Sequence, residues 1–363
     1  MKIAVIGSRD YHKVSGGIEK HVKMLYEAMI DISDSVKVDI FFPTSQINTI
    51  NKCSTDTINN NLSFIYINLI TSINLFEKLI YCFKCLPLII KNKYDVVHFH
   101  GMNSVWIIPF VLFFTKSKII TTQHSLDHLN FGVTFYKRII SFISSKILLL
   151  SHEIFCVSDY VFECVGKGVV INNGFDPSFN KMKFDFVKYG LKKNEYLCFV
   201  GRITKEKGID MLINSYVKSS LTIPLVIVGG SNSSHFFNYI LDLIEKTDKK
   251  IIYVGEKSYE DTLNFIKNSL TLISPSFSEG FGLVVLESLF FKKTPLLSNI
   301  PAHRNFNIDS RFYFNLNEDN LIKLLNNYMI LKDYYKCKYV FNSKSWKQTS
   351  EEVFLNYKRT LSE

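Results

Sequence analysis

The sequence predicts an α/β protein made of two doubly wound parallel-sheet domains. Three observations carry this prediction. Apolar strand-like runs alternate with helical patterns in both halves, a cluster punctuated by Gly and Pro separates the halves, and 363 residues exceed the length at which a single hydrophobic core keeps growing. With 47% hydrophobic and 21% charged residues, the chain reads as well buried, neither disordered nor collagen-like.

In chain order, Ile3 to Ile6, Lys37 to Phe42, Asp95 to Phe99 and Ile119 to Thr122 are apolar runs bounded by polar turns, the pattern of strands covered on both faces. Between them, Ile18 to Ile30 and Phe135 to Leu150 carry apolar residues at helical spacing and are expected to cover the sheet. The turn-forming stretch from Asn172 to Pro177 marks the expected boundary, giving domains 1–172 and 173–345. Tyr196 to Val200, Leu225 to Val228, Ile251 to Val254 and Leu272 to Ser274 repeat the strand pattern, each followed by a turn and a helical segment. A last amphipathic helix, Trp346 to Leu361, lies beyond the final strand, and residues 346–363 are expected to pack back on the first domain.

The formal charge of +10 is compatible with nucleic acid, an anionic membrane or anionic substrates. The lysines are scattered, and no helix has a dense basic face interleaved with aromatics, so nucleic acid is not expected as a partner. Met1 to Gly7 is too brief for a signal-peptide hydrophobic region, and the longest apolar stretch, Val105 to Phe114, falls short of the roughly 20 residues of a spanning helix. Seven dispersed cysteines without a secretion signal point to reduced thiols and a cytoplasmic protein.

Three constellations carry chemistry. The first is Ser278-Glu279-Gly280-Phe281-Gly282-Leu283, between a strand ending near Ser274 and the helical run Val284 to Phe291. A glycine-bearing turn that opens a helix presents amide groups at the positive end of the helix dipole, a place for phosphate or another anion. Glu279 precedes the turn and Glu287 follows about two helical turns on, so one carboxylate can reach a sugar while the other accepts from hydroxyls such as those of a ribose. The second is Gly201 to Gly208, directly after a strand, where Arg202 and Lys207 are placed to hold a diphosphate and stabilise it as it departs. The third, Ser15-Gly16-Gly17-Ile18-Glu19, ends the loop after the first strand and opens the first helix. It suits phosphate or sugar and is not the G-x-G-x-x-G fingerprint of dinucleotide enzymes. Each motif alone is also compatible with an ordinary turn or a solvated charge.

Taken in order, these pieces resemble the retaining glycosyltransferases of the GT-B fold grouped as family 4. The resemblance spans nearly the whole chain: Gly16-Gly17-Ile18-Glu19, Asp95 to His100, Thr121-Thr122-Gln123-His124, Asn173 to Asp176, Gly201-Arg202 with Lys207-Gly208, and the Glu279-x7-Glu287 pair. It implies two Rossmann-like domains facing across a cleft, with a nucleotide sugar as donor, most often of UDP or GDP. By it, Arg202 and Lys207 bind the donor diphosphate, Glu279 the sugar hydroxyls, Glu287 the ribose, and the Gly280, Phe281, Gly282 and Leu283 amides the sugar or phosphate. Gly16 and Gly17 close over the phosphate, and His124 orients the sugar near its primary hydroxyl. Retention implies that the acceptor attacks from the face the diphosphate vacates, with no protein nucleophile. The reaction expected is transfer to a glycan or lipid-linked acceptor in bacterial surface polysaccharide (O-antigen, capsule or exopolysaccharide) synthesis. A nucleotide-sugar epimerase of similar shape and a non-catalytic scaffold of a polysaccharide-assembly complex are the alternatives.

No metal or other cofactor is expected. Cys82-Phe83-Lys84-Cys85 is a C-x-x-C with no second pair and apolar neighbours. His98 and His100 share a strand face and could ligate a metal with His124, but no carboxylate motif supports it; the resemblance makes them residues near the acceptor. There is no D-x-D, the metal-diphosphate motif of the other major glycosyltransferase fold. Ile73 to Lys93 and Phe131 to Leu150 combine Phe, Leu and Ile with spaced lysines, so peripheral contact with the cytoplasmic face of a membrane is an expectation alongside the ordinary one of facing a core. The acceptor is expected to meet variable loops of the first domain, such as Pro43 to Ser63.

Overall fold

A computed structural model describes the chain except residues 12–15, 45–53, 70–74, 126–134, 177–186, 232 and 335–343. It separates into two units, whose described residues fall within 1–176 with 344–363 and within 187–334. The unit boundary follows Asp176 instead of Asn172. The physical reason is local: the Asp176 carboxylate accepts from the Trp346 amide at 2.8 Å, the Phe175 amide donates to the Lys344 carbonyl at 2.9 Å, and a side chain on Gly174 would meet the Trp346 nitrogen at 2.6 Å. Residues 173–176 therefore belong with the helix at the C-terminus, which starts with a Ser345/Gln348 capping box.

The first unit comprises β1 (Lys2–Ile6), α1 (Gly17–Ile30), β2 (Lys37–Thr44), β3 (Ser54–Asn59), β4 (Leu62–Asn68), α2 (Leu75–Asn92), β5 (Val96–His100), α3 (Ile108–Phe114), β6 (Lys118–Gln123), α4 (Phe135–Leu148), β7 (Glu153–Cys156), α5 (Asp159–Val165) and β8 (Val169–Val170). Its strands lie in the order β3-β4-β2-β1-β5-β6-β7-β8. All pairings are parallel except β3 with β4. The β-branched runs of β1 and β5 are buried along nearly their whole length, as a sheet covered on both faces requires. Within Pro43 to Ser63, read above as loop, the described residues form the end of β2, β3 and the start of β4; 45–53 lie outside the described residues. Valine, leucine, tyrosine and methionine on α1 (Val22, Leu25, Tyr26, Met29) recur on one face and pack on the sheet.

The second unit comprises β9 (Leu197–Val200), α6 (Ile209–Lys218), β10 (Leu225–Val228), α7 (Ser234–Glu245), β11 (Ile251–Gly255), α8 (Tyr259–Asn268), β12 (Thr271–Ser274), α9 (Leu283–Phe290), β13 (Leu296–Ser298), α10 (Pro301–Arg304), β14 (Tyr313–Phe314) and α11 (Glu318–Tyr334). Its sheet is parallel, in the order β11-β10-β9-β12-β13-β14. The final helix, α12 (Trp346–Ser362), packs on α1 within the first unit: Trp346, Val353, Phe354 and Tyr357 join its core, and the Ser350 hydroxyl donates to the Leu25 carbonyl at 3.1 Å. No helix among the described residues is long and apolar enough to cross a membrane.

Candidate functional site

In the second unit, β9 and β12 are neighbours, so the loops leaving their carboxyl ends are brought side by side. Two backbone contacts join them. The Phe277 amide donates to the Glu206 carbonyl at 2.8 Å, and Gly208 lies so close to Pro275 that a side chain there would meet its carbonyl oxygen at 2.2 Å. Gly208 also has φ +67°, so this tight approach needs glycine on both counts. The result is that Lys207 meets Glu279: Nζ lies 2.5 Å from Oε1, and the Ser276 hydroxyl donates to the same oxygen at 2.8 Å. Burial alone would raise the Glu279 carboxyl, but the Lys207 and His303 charges and the bonds from Lys207 and Ser276 hold it below the usual carboxylate value.

Arg202, on the same loop as Lys207, is far more open. Its guanidinium is half-exposed and, among the described residues, makes only a long 4.0 Å pair with Glu206, leaving most of its donor fork available to an anion. Gly282 caps α9 at φ +91°, a backbone state that glycine adopts without strain. Behind it, Phe281 stacks edge-on against Phe306 at 5.7 Å. The first amides of α9, from Leu283 onward, carry the positive end of its dipole. Glu287 is buried on α9 and hydrogen-bonded to the Tyr259 phenol, whose ionisation burial and this carboxylate push up.

Two residues of this region carry no sequence signal. His303 is fully buried, with Nδ1 3.0 Å from the Ser298 carbonyl and Nε2 3.3 Å from the Ser274 hydroxyl. A carbonyl only accepts, so Nδ1 carries the proton, and burial keeps the ring's pKa below the ordinary histidine value. Tyr259 reaches Glu287 from a separate helix, a pairing that spacing along the chain does not reveal.

In the first unit, Gly16 caps α1 in an extended conformation (φ −159°), and Gly17 is the first helical residue; Ser15 lies outside the described residues. His124 follows β6 and does not stand alone. Its Nε2 is 3.2 Å from Nδ1 of His100, at the end of the adjacent β5, and its ring lies edge-on to His21 of α1 at 4.7 Å. His100 Nε2 is 3.2 Å from the Tyr26 hydroxyl, which is itself 2.7 Å from His98 Nδ1 and 3.0 Å from the Tyr357 hydroxyl. His98 is further bonded to Tyr357 and, through Nε2, to Thr122 at 2.8 Å. Burial keeps all four imidazoles neutral: His21 is lowered to about 4, and His98, His100 and His124 are lowered by burial first and by neighbouring imidazoles second, His21 among them in each case. His21 was not singled out from sequence, although it lies one helical turn after Gly17, on the buried side of α1.

Cys82 and Cys85 are buried thiols on α2, and burial pushes Cys82 up to about 12, the behaviour of core residues.

Residues 15–179 match the family described as Glycosyltransferase Family 4, and residues 181–345 match Glycosyl transferases group 1. The O-antigen biosynthesis glycosyltransferase WclY of Escherichia coli is 25% identical over 226 residues, 58% of this chain and 62% of that protein. The chain thus spans less than two thirds of the length of this curated relative. Sucrose-phosphate synthase from Thermosynechococcus elongatus superposes with a TM-score of 0.83 at 17% identity, covering 99% of both chains. HepE of Anabaena, in complex with UDP and glucose, gives 0.75 at 12% identity over 99% of this chain and 100% of that one. At these identities the structural likeness establishes the two-domain GT-B fold. The two family matches together run from residue 15 to residue 345, and the chain belongs to the family 4, group 1 glycosyltransferases.

Proposed function

We propose that the protein is a retaining glycosyltransferase, taking a sugar from a nucleotide donor to a glycan or lipid-linked acceptor in bacterial surface polysaccharide synthesis. The observation that carries this reading is the assembly at the carboxyl ends of β9 and β12. An open guanidinium, a buried Lys207–Glu279 pair and the start of α9 converge there, with the Glu287 carboxylate one helix turn deeper. In the proposed reaction Arg202 and Lys207 neutralise the departing diphosphate, with the Gly280 to Leu283 backbone on sugar or phosphate, Glu279 on sugar hydroxyls and Glu287 on the ribose. His124 orients the sugar, and Gly16 and Gly17 approach the phosphate. With cations on the diphosphate, this step asks for no metal, and the leaving oxygen takes the acceptor's proton. The relation to WclY supports the polysaccharide setting, and the UDP and glucose held by HepE support a nucleotide-sugar donor, UDP or GDP first.

The test is a thermal-shift and hydrolysis screen against UDP-, GDP-, ADP- and dTDP-sugars, with Arg202→Ala and Glu287→Ala beside the wild type. One nucleotide sugar is expected to stabilise the wild type and neither variant. Stabilisation by none favours the scaffold reading; isomerised donor without acceptor favours the epimerase. Product with inverted anomeric configuration would overturn the retaining mechanism.

The acceptor is proposed to be met at the cytoplasmic face of a membrane. The neighbouring helices α2, α3 and α4 expose Phe83, Phe110, Phe113, Phe114, Phe135 and Phe142, with Phe113 81% and Phe135 79% accessible. Phe83 and Phe110 join α2 to α3 at 5.3 Å. Exposed Lys84, Lys91, Lys116 and Lys146 accompany them, the combination that an anionic lipid surface favours. The wild type is expected to float with anionic vesicles at low salt and a Phe113→Glu/Phe142→Glu variant to stay behind; no flotation of the wild type at low salt rejects the contact.

A further inference from the structure

We infer that His21, His100 and His124 form a binding site for a divalent transition-metal ion of the zinc type, with three imidazole ligands and an open fourth position. One nitrogen from each ring lies within 4.8 Å of the others, and His100 Nδ1 and His124 Nε2 are 3.2 Å apart. Two imidazoles bonded to one zinc at about 2.0–2.1 Å in tetrahedral geometry hold their nitrogens about 3.3–3.4 Å apart, so this pair already stands at the edge length of such a site. The third ligand supplies an independent sign. His21 is only 2% exposed, and its Nε2 is a buried nitrogen with no hydrogen-bond partner among the described residues. An orphaned polar atom in a closed interior costs free energy unless something meets it.

The surroundings hold the rings in the form a metal takes. His21 Nδ1 is 2.6 Å from the Asn173 amide oxygen, which only accepts, so the proton is on Nδ1 and the Nε2 lone pair is the one left to donate. His100 Nε2 faces the Tyr26 hydroxyl at 3.2 Å, which can accept its proton and free Nδ1 for a metal. These are the outer-shell partners that orient metal-bound histidines. Ligands from α1, β5 and the loop after β6 meet because those elements are packed together, which is why His21 replaces the His98 of the sequence-based triad: His98 is spent on Tyr26, Tyr357 and Thr122. Neutral imidazole and no carboxylate favour zinc, nickel or copper over magnesium or calcium. Three protein ligands with a fourth position open is the pattern of a metal that binds and polarises an oxygen, in contrast to the closed four-ligand structural site.

The site shares His124 with the proposed reaction, which places that ring on the sugar, but uses none of the second unit's donor-binding residues, and its test does not use activity. The full chain is stripped with chelator and titrated with Zn²⁺ by calorimetry and with Co²⁺ by visible absorption. One equivalent of each is expected, with the intense ligand-field bands of a four-coordinate Co²⁺. His21→Ala is expected to abolish the bands and to weaken Zn²⁺ at least 100-fold, and Asn173→Leu, which leaves every ligand in place, to weaken it 10- to 100-fold. Retained far-ultraviolet dichroism shows that each variant is folded; should His21→Ala fail that check, Asn173→Leu decides. No Zn²⁺ binding by the wild type, or equal binding by the folded variants, overturns the site and leaves a trapped water as the partner of His21 Nε2.

Discussion

At the carboxyl ends of β5 and β6 the first unit buries imidazoles that its interior keeps neutral, whereas at the ends of β9 and β12 the second holds an ammonium and a carboxylate 2.5 Å apart. Both are polar clusters at the same place in a parallel sheet, and they solve the cost of burial in opposite ways. Charge survives in the second because each ion has its counter-ion; in the first, with no carboxylate among the rings, desolvation removes the charge. Each unit is therefore fragile in its own way.

The heaviest loss is expected from breaking the charged pair. Lys207→Met leaves Glu279 largely buried without its partner and is expected to cost about 3 kcal/mol of stability, at the lower end for such pairs because both groups keep some solvent contact. Urea unfolding followed in the second unit measures it, and adding Glu279→Gln should recover most of the loss. A double variant no more stable than the single one would mean that the pair is not what holds these loops.

Next is turnover. Arg202→Ala is expected to lower transfer about 10²- to 10³-fold, the scale on which a donor to developing negative charge is missed. Because this guanidinium is half-exposed and loosely paired, its removal should leave stability almost unchanged. Steady-state kinetics beside a melting curve separates the two, and equal loss of both would sink the assignment.

The two clusters should also part company on acidification. Histidines with folded pKa below 6.5 bind fewer protons folded than unfolded. Their contribution to stability is therefore present above pH 6.5 and lost as pH falls, through about 4 for His21. Each can cost at most about 1.4 kcal/mol per pH unit in that window. Glu279, held below the usual carboxylate value, gives stability present above pH 4.5 and lost only at lower pH. The first unit should weaken first between pH 6.5 and 5, with His303 the corresponding buried ring in the second. Unit-resolved hydrogen exchange at pH 7 and 5 reads this; a second unit that loosens first would contradict it.

The mildest change is Tyr357→Phe, which removes one hydroxyl from the His98–Tyr26 cluster and should cost about 1 kcal/mol, because Tyr26 still meets His98. Chemical denaturation of the first unit checks it.

Much of the fold was legible along the chain because its cues are local. β-branched runs in strands such as β1 and β10, the 3.6 period of α1 and the Gly280-Phe281-Gly282 turn before α9 act through neighbours a few residues away, and their predicted limits lie within a residue or two of the observed ones. The donor-side motifs were readable for the same reason: Arg202 and Lys207 closely follow one strand, Glu279 closely follows another, and a parallel sheet puts such positions at its carboxyl edge.

Contacts between residues far apart in the chain were settled by packing alone. Lys207 and Glu279 are 72 positions apart, Tyr26 and Tyr357 331, and His21 and Asn173 152. No periodicity or turn chemistry encodes such pairs; they follow from strand order and from α12 packing on α1. The protonation of the histidines belongs to the same class, because it is set by how completely the packed unit excludes water, and desolvation is a property of the finished interior and not of any segment of the chain.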